Sequence, residues 1–219
     1  MAKIGKNVVI HDGATVGENV TIGDNTVVYS DVILEDNVTI GPNNVIGIVA
    51  GGNDRMRKDK QSITPLVIKS GTKTGSLVAL YAGTTIGQSC FFGDLSSVRE
   101  NVTIGDRTVI GRSAIVELNT TIGSRCTVQT GAYVTGDSIV EDDVFIGPCV
   151  SMSNDKYMGA RPFEMKGPHI KRGAKIGNNA TLLPGVVIGV ETIVGAGAVV
   201  TKNTKDQVTV AGVPAKELS

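Results

Sequence analysis

The sequence has no tryptophan, and only four tyrosines and four phenylalanines among 219 residues. A compact two-layer core built on large rings is not the expectation for such a chain. Net charge is also missing, with 21 Lys and Arg balanced by 21 Asp and Glu. That excludes binding to nucleic acid driven by phosphate neutralisation and a polybasic membrane patch. No apolar run approaches the roughly 20 residues of a spanning helix. Cysteines number three. An odd count without metal-like spacing points to reduced thiols, no metal and a cytoplasmic protein. The patterned part begins at Ile4, which leaves no room for a signal peptide in this reading.

What the chain does have is glycine, 28 residues of it, and a period of six. Aliphatic residues recur at Ile4, Ile10, Val16, Ile22, Val28, Leu34, Ile40 and Ile46. The series resumes at Ile68 and keeps phase for fourteen consecutive steps to Met152, with Thr74 its one polar member. A third series runs from Ile170 to Val200. Period six suits neither an amphipathic helix nor a lone amphipathic strand. It suits a triangular solenoid, in which each hexad is a short strand plus a corner and three hexads close one coil. The large aliphatic points inward. The residue two positions earlier is often small (Ala14, Cys90, Ala114, Cys126, Ala132, Ala180, Ala198) and fills a second inward slot. Gly often follows the aliphatic and supplies positive φ or close backbone approach at the bend.

The expected fold is thus all-β, a parallel β-helix of roughly nine coils forming one domain over 1–219. Two segments break phase and read as protruding loops, 48–65 and 154–168. The tail, 205–219, leaves the repeat and covers the last coil, whose open edge would otherwise invite aggregation.

Within the rhythm, FFGDLSSVREN (91–101) gathers three charges. Asp94 and Glu100 each lie two positions after an inward aliphatic, on consecutive faces of one coil and flanking a corner, with Arg99 able to pair with either. A solvated salt-bridge rim is the plain alternative, and exposed pairs contribute only ~0–1 kcal/mol.

The stretches IKRGAKIGNNATLLPGVVIGVETIVGAGAVVTKNT (170–204), VAGVPAKEL (210–218), VFIGPCVSMSNDKYMGA (144–160) and FFGDLSSVRENVTIGDRTVIG resemble the hexapeptide-repeat acyltransferases, in particular the nucleotide-amino-sugar N-acyltransferase branch. The chain is similar to the dTDP-4-amino-4,6-dideoxyglucose N-acyltransferases. The resemblance implies left-handed coiling and a homotrimer with acetyl-CoA or another acyl-CoA in a groove between neighbouring helices. It also implies a nucleotide-linked amino sugar, used in surface glycan synthesis, as acceptor.

On that footing Asp94 is the expected base or amine-orienting group, Glu100 a second substrate carboxylate and Arg99 their organiser. Asn154, Asp155, Lys156 and Tyr157 of the second loop, with Tyr81, border the sugar. Gly177, Gly195, Ala196 and Ala198 admit the pantetheine arm. Lys202 meets phosphate, with Lys171 and Arg172 as weaker candidates. The chain has only two histidines, His11 and His169. That excludes the three-histidine zinc centre of gamma-type carbonic anhydrases. It also favours an amine acceptor, because a hydroxyl must lose its proton during attack to a base that is usually His. Cys90 and Cys126 read as buried packing residues. O-acetylation of a sugar and a non-catalytic assembly module are the competing readings.

Overall fold

The computed structural model describes residues 1–53 and 64–218. These residues contain no helix, so none is long and apolar enough to cross a membrane. They form a β-solenoid with three sheets, of twelve, ten and nine strands, and as far as Val199–Val200 each sheet takes every third strand of the chain. Pairing is in register at a spacing of one coil: Phe91–Phe92 pairs with Val109–Ile110, and Ser97–Val98 with Ile115–Val116. Along the chain the three faces follow one another as first (Phe91–Phe92), second (Ser97–Val98) and third (Thr103–Ile104).

Each short strand turns one aliphatic inward. Ile22, Leu34, Ile40, Ile46, Ile68, Leu80, Ile86, Phe92, Ile104, Ile110 and Ile122 are fully buried. Burying each is worth about 1.5–3 kcal/mol. β-Branched residues dominate because a pleated surface suits them. Thr74, the polar member, is accounted for by Asn44, whose Nδ2 donates to Thr74 Oγ1 at 2.7 Å while its Oδ1 accepts from Val78 N at 2.6 Å.

The corners separate the two roles expected of glycine. The left-handed residue of a corner lies three positions after the inward aliphatic. It is usually not glycine but a residue such as Asn25 (φ 57°), Asn43 (φ 57°) or Asn101 (φ 57°). Asn tolerates this region because its short polar side chain bonds locally. The glycine directly after the aliphatic serves close approach instead: a Cβ on Gly177 would lie 2.5 Å from Ala196 N of the next coil. The second inward slot also does more than fill space. Thr72, Thr84, Thr108 and Thr120 donate their hydroxyls from it to carbonyls fifteen residues on. Cys90 and Cys126 do the same through sulfur, at 3.2 Å to Gly105 O and 3.0 Å to Glu141 O.

The tail remains in the stack for one more strand. Thr209–Ala211 pairs parallel with Ile193–Val194 and buries Val210, and Lys216–Glu217 then folds back antiparallel on it. The first sheet therefore has eleven parallel levels, since its twelfth strand is the antiparallel one. That exceeds the nine coils counted from hexads: the in-phase strands alone give ten levels on the first and second sheets and nine on the third, and the tail strand, which departs from the six-residue phase, adds the eleventh. Of the first loop, 54–63 lie outside the described residues. Both loops leave from the same edge of the prism. Each one follows a strand of the second sheet (Val45–Ile48, Ser151–Met152) and returns to a strand of the third (Val67–Ile68, His169–Ile170).

Candidate functional site

The residue after each inward aliphatic of the second sheet stands on the edge that carries both loops. Read upward at one coil per step, this column is His11, Tyr29, Gly47, Tyr81, Arg99, Glu117, Thr135, Ser153, Leu183 and Thr201. Four of its levels, from Tyr81 to Thr135, lie between the two loops, and charge concentrates there. Glu100 is only 7% exposed. It accepts from Arg99 Nε at 2.8 Å and Arg99 Nη2 at 3.0 Å, the forked geometry that suits guanidinium and carboxylate. Arg99 Nη1 lies 3.7 Å from Glu117 Oε2, and its Cζ stands 5.0 Å from the Tyr81 ring centroid, within cation–π range. Its hydrogen bonds to Glu100 outweigh burial and hold the guanidinium firmly protonated. Burial, and then the charge of Glu117, push the neighbouring Tyr133 phenol up. Among the described residues, two carboxylates against one guanidinium leave the cluster net negative.

Asp94 is not in this cluster. It lies at the corner from the first face to the second, whereas Glu100 lies at the corner from the second to the third. The two acids flank a face rather than a corner. Asp94 Oδ1 accepts from Ser76 N at 2.8 Å, one coil below. Asp24, Asp36, Asp106 and Asp142 make the same bond to Lys6, Glu18, Gln88 and Ser124. Asp94 is thus one of a set of corner stitches.

The second loop is packed on itself. Asn154 Nδ2 donates to Gly136 O at 3.3 Å and to Asp137 Oδ2 at 3.4 Å. Asp155 accepts from Tyr157 N and Gly159 N at 2.8 and 2.7 Å, backbone bonds that overcome its partial burial and lower its pKa. Tyr157 lies under Arg161 (3.7 Å) and edge-on to Phe163 (5.5 Å), with Lys156 at 5.8 Å. Asn154 joins this loop to the top of the Arg99–Thr135 column.

The expected cofactor residues divide between two edges of one chain. Gly177, Gly195 and Ala196 follow strands of the first sheet, whereas Lys202 follows the last strand of the second. The Ala198 side chain is fully buried and faces the core, so it is withdrawn as a cofactor contact. Lys202 is exposed and lines a cavity of about 210 Å³ with Asn203, Lys205, Ala215 and Glu217. Lys171 and Arg172 face Asp206 and Glu191 at 3.7 and 3.8 Å.

Neither histidine reaches the charged cluster. His11 is on the same edge, four levels below Arg99, with its ring stacked parallel on Tyr29 at 5.1 Å. His169 Nε2 pairs with Glu141 Oε1 at 2.7 Å across the third face. Cys149 occupies a left-handed corner position (φ 56°) and is exposed. Glu117 and Tyr133 belong to no sequence motif; the signal for Glu117 is its place one coil, eighteen residues, beyond Arg99 in the same column.

The chain matches the model described as bacterial transferase hexapeptide (six repeats) over residues 1–32, 13–47, 83–117 and 167–202, more than half its length. It belongs to that family. The model described as hexapeptide repeat of succinyl-transferase matches 101–136. A serine acetyltransferase of Buchnera aphidicola is 34% identical over 90 residues, covering 41% of this chain and 32% of the relative. The chain thus matches about a third of the length of that curated relative. Two solved structures share the fold. The UDP-N-acetylglucosamine acyltransferase of Francisella novicida has a TM-score of 0.51 at 17% identity, over 96% of this chain and 70% of that one. That of Bacteroides fragilis has a TM-score of 0.50 at 19% identity, over 96% and 72%.

Proposed function

We propose that this hexapeptide-repeat protein transfers an acyl group, most simply acetyl, from acyl-CoA to the amine of a nucleotide-linked amino-deoxy sugar. The observation that carries the reading is the net-negative Arg99–Glu100–Glu117 cluster on the edge between the two loops, with no histidine beside it. An ammonium is drawn to such a cluster. Glu100 is committed to Arg99 and holds it in place. Glu117 is held more loosely and takes the proton that frees the nitrogen lone pair. The nitrogen then attacks the thioester carbonyl, the C–S bond breaks, and the departing sulfur receives the proton the nitrogen sheds as the amide forms. Tyr81 fixes the far side of Arg99, and the loop residues Asn154 to Tyr157 border the sugar. In this reading the base role passes from Asp94 to Glu117. Residues on separate edges, Gly195 and Ala196 on one and Lys202 on another, meet a single CoA only where two chains adjoin, and a closed homotrimer supplies such junctions.

A specific observation favours a second reading. The His169–Glu141 pair is an imidazole oriented by a carboxylate, the arrangement a hydroxyl acceptor needs from its base. One assay separates the two. Thiol release from acetyl-CoA is followed with nucleotide-linked amino sugars and with hydroxyl acceptors, for the parent, Glu117→Gln and His169→Asn. The amine reading expects Glu117→Gln to lower kcat by about 100-fold or more while His169→Asn stays close to the parent. The reverse ranking, with turnover on hydroxyls alone, overturns it in favour of O-acylation. No thiol release with any acceptor leaves a non-catalytic assembly module.

A further inference from the structure

Gly47 interrupts the column of side chains on the loop edge. Below it, His11 and Tyr29 are stacked rings, parallel to within 1°. Above it comes Tyr81, which already carries Arg99 on its face. At Gly47 the chain adopts φ 90°, and a Cβ there would collide with Val32 Cγ2. The strand register also shifts here, so that Tyr81 pairs with Ile48 rather than with Gly47. Such irregularities re-aim side chains and are frequent beside functional sites. The result is a cavity of about 230 Å³, floored by Tyr29 and walled by Gly47, Val49, Pro65 and Ala82, with Ser30, Asp31 and Thr64 as its polar members. Tyr29 is 37% exposed, although its other face is covered by His11.

We infer that this cavity receives the flat base of the substrate's nucleotide, stacked on Tyr29 as the third ring of the His11–Tyr29 pile. The inference rests on the nucleotide-sugar reading above and adds where and how the nucleotide is held. A ring offset over Tyr29 gains the usual aromatic stacking. An ionised carboxylate only accepts hydrogen bonds, so Asp31 suits a base that presents a ring N–H, as uracil, thymine and guanine do. The cavity lies two coils below Arg99 on the same edge. At the ordinary strand spacing that is on the order of 10 Å, a span that a pyrophosphate link crosses to bring the sugar beside Glu100 and Glu117.

The test is calorimetric titration of UMP, dTMP, GMP and adenosine 3′,5′-bisphosphate into the parent, Tyr29→Ala and Tyr29→Phe, with steady-state kinetics on the nucleotide sugar turned over. At least one of the first three nucleotides should bind. Tyr29→Ala should weaken it by about tenfold, the scale of one lost base–aromatic stack, and Tyr29→Phe should restore it. In turnover, Tyr29→Ala should raise KM and leave kcat nearly unchanged. If only the bisphosphate binds through Tyr29, the cavity takes the adenine of CoA and the inference fails. If a nucleotide sugar is acylated with KM indifferent to Tyr29→Ala, the inference fails while the functional reading stands. If UMP, dTMP or GMP binds through Tyr29 but no amine is acylated, the base site stands and the amine reading falls.

Discussion

Among the described residues Arg99 is the cation beside both Glu100 and Glu117, and the consequence of its removal follows from burial. Glu100 would be left nearly enclosed with an uncompensated charge. Breaking one side of a buried pair costs about 3–5 kcal/mol. Arg99→Ala should therefore lower the urea midpoint, while Arg99→Ala combined with Glu100→Gln recovers much of the loss. The thiols form a second residue-scale contrast. Burial raises Cys126 to about 11 and Cys90 in the same direction, whereas Cys149 is exposed. At neutral pH an alkylating reagent should label Cys149 alone in the folded protein, as read by mass spectrometry, and all three after denaturation. Glu141 sets a pH response. Its partial burial is outweighed by bonds from Arg172 N and His169, and its folded-state value falls below 4.5. A depressed carboxylate stabilises fully above its unfolded value and ceases to as pH falls through its folded one. Thermal melts across the acid range should show a shallower decline for Glu141→Gln than for the parent.

At the scale of the strand and its corner, the set of stitching aspartates makes Asp94 testable against its equivalents. If it only closes a corner, Asp94→Asn and Asp106→Asn should cost alike, about 1 kcal/mol or less because the amide oxygen still accepts and only the charge assistance is lost, and neither should alter the acyl-transfer rate. A selective loss of transfer in Asp94→Asn would return it to the chemistry. Inward aliphatics at every sixth position gave the faces, because burial of one side chain per strand has no other periodic solution here. Asp94 stands out in the sequence by its charge, whereas its backbone partner lies eighteen residues back at Ser76 and meets it only when coils stack. Of the two roles open to glycine, the tight approach is its own and the left-handed turn falls mostly to Asn25, Asn43 and their like, since both requirements occur within one hexad. Glu117 is local to no motif and meets Arg99 only when coils stack. Tyr29 and Gly47 likewise become neighbours only by stacking.

For the whole molecule, the two loops share an edge because the chain between Leu80 and Met152 completes whole coils without a break. The last strand reverses direction on Val210–Ala211 and closes one end of the stack. Deleting 205–218 would uncover the parallel edge at Ile193–Val194, and light scattering on storage should rise, because an open edge recruits further chains. The shared edge has a further consequence for how such a protein can change in length. An insertion of one hexad between the loops keeps every aliphatic inward and folds as before. It also carries the second loop a third of a revolution around the axis, away from the first. Only gains or losses of a full revolution preserve their alignment, so this fold counts its tolerable indels in units of three.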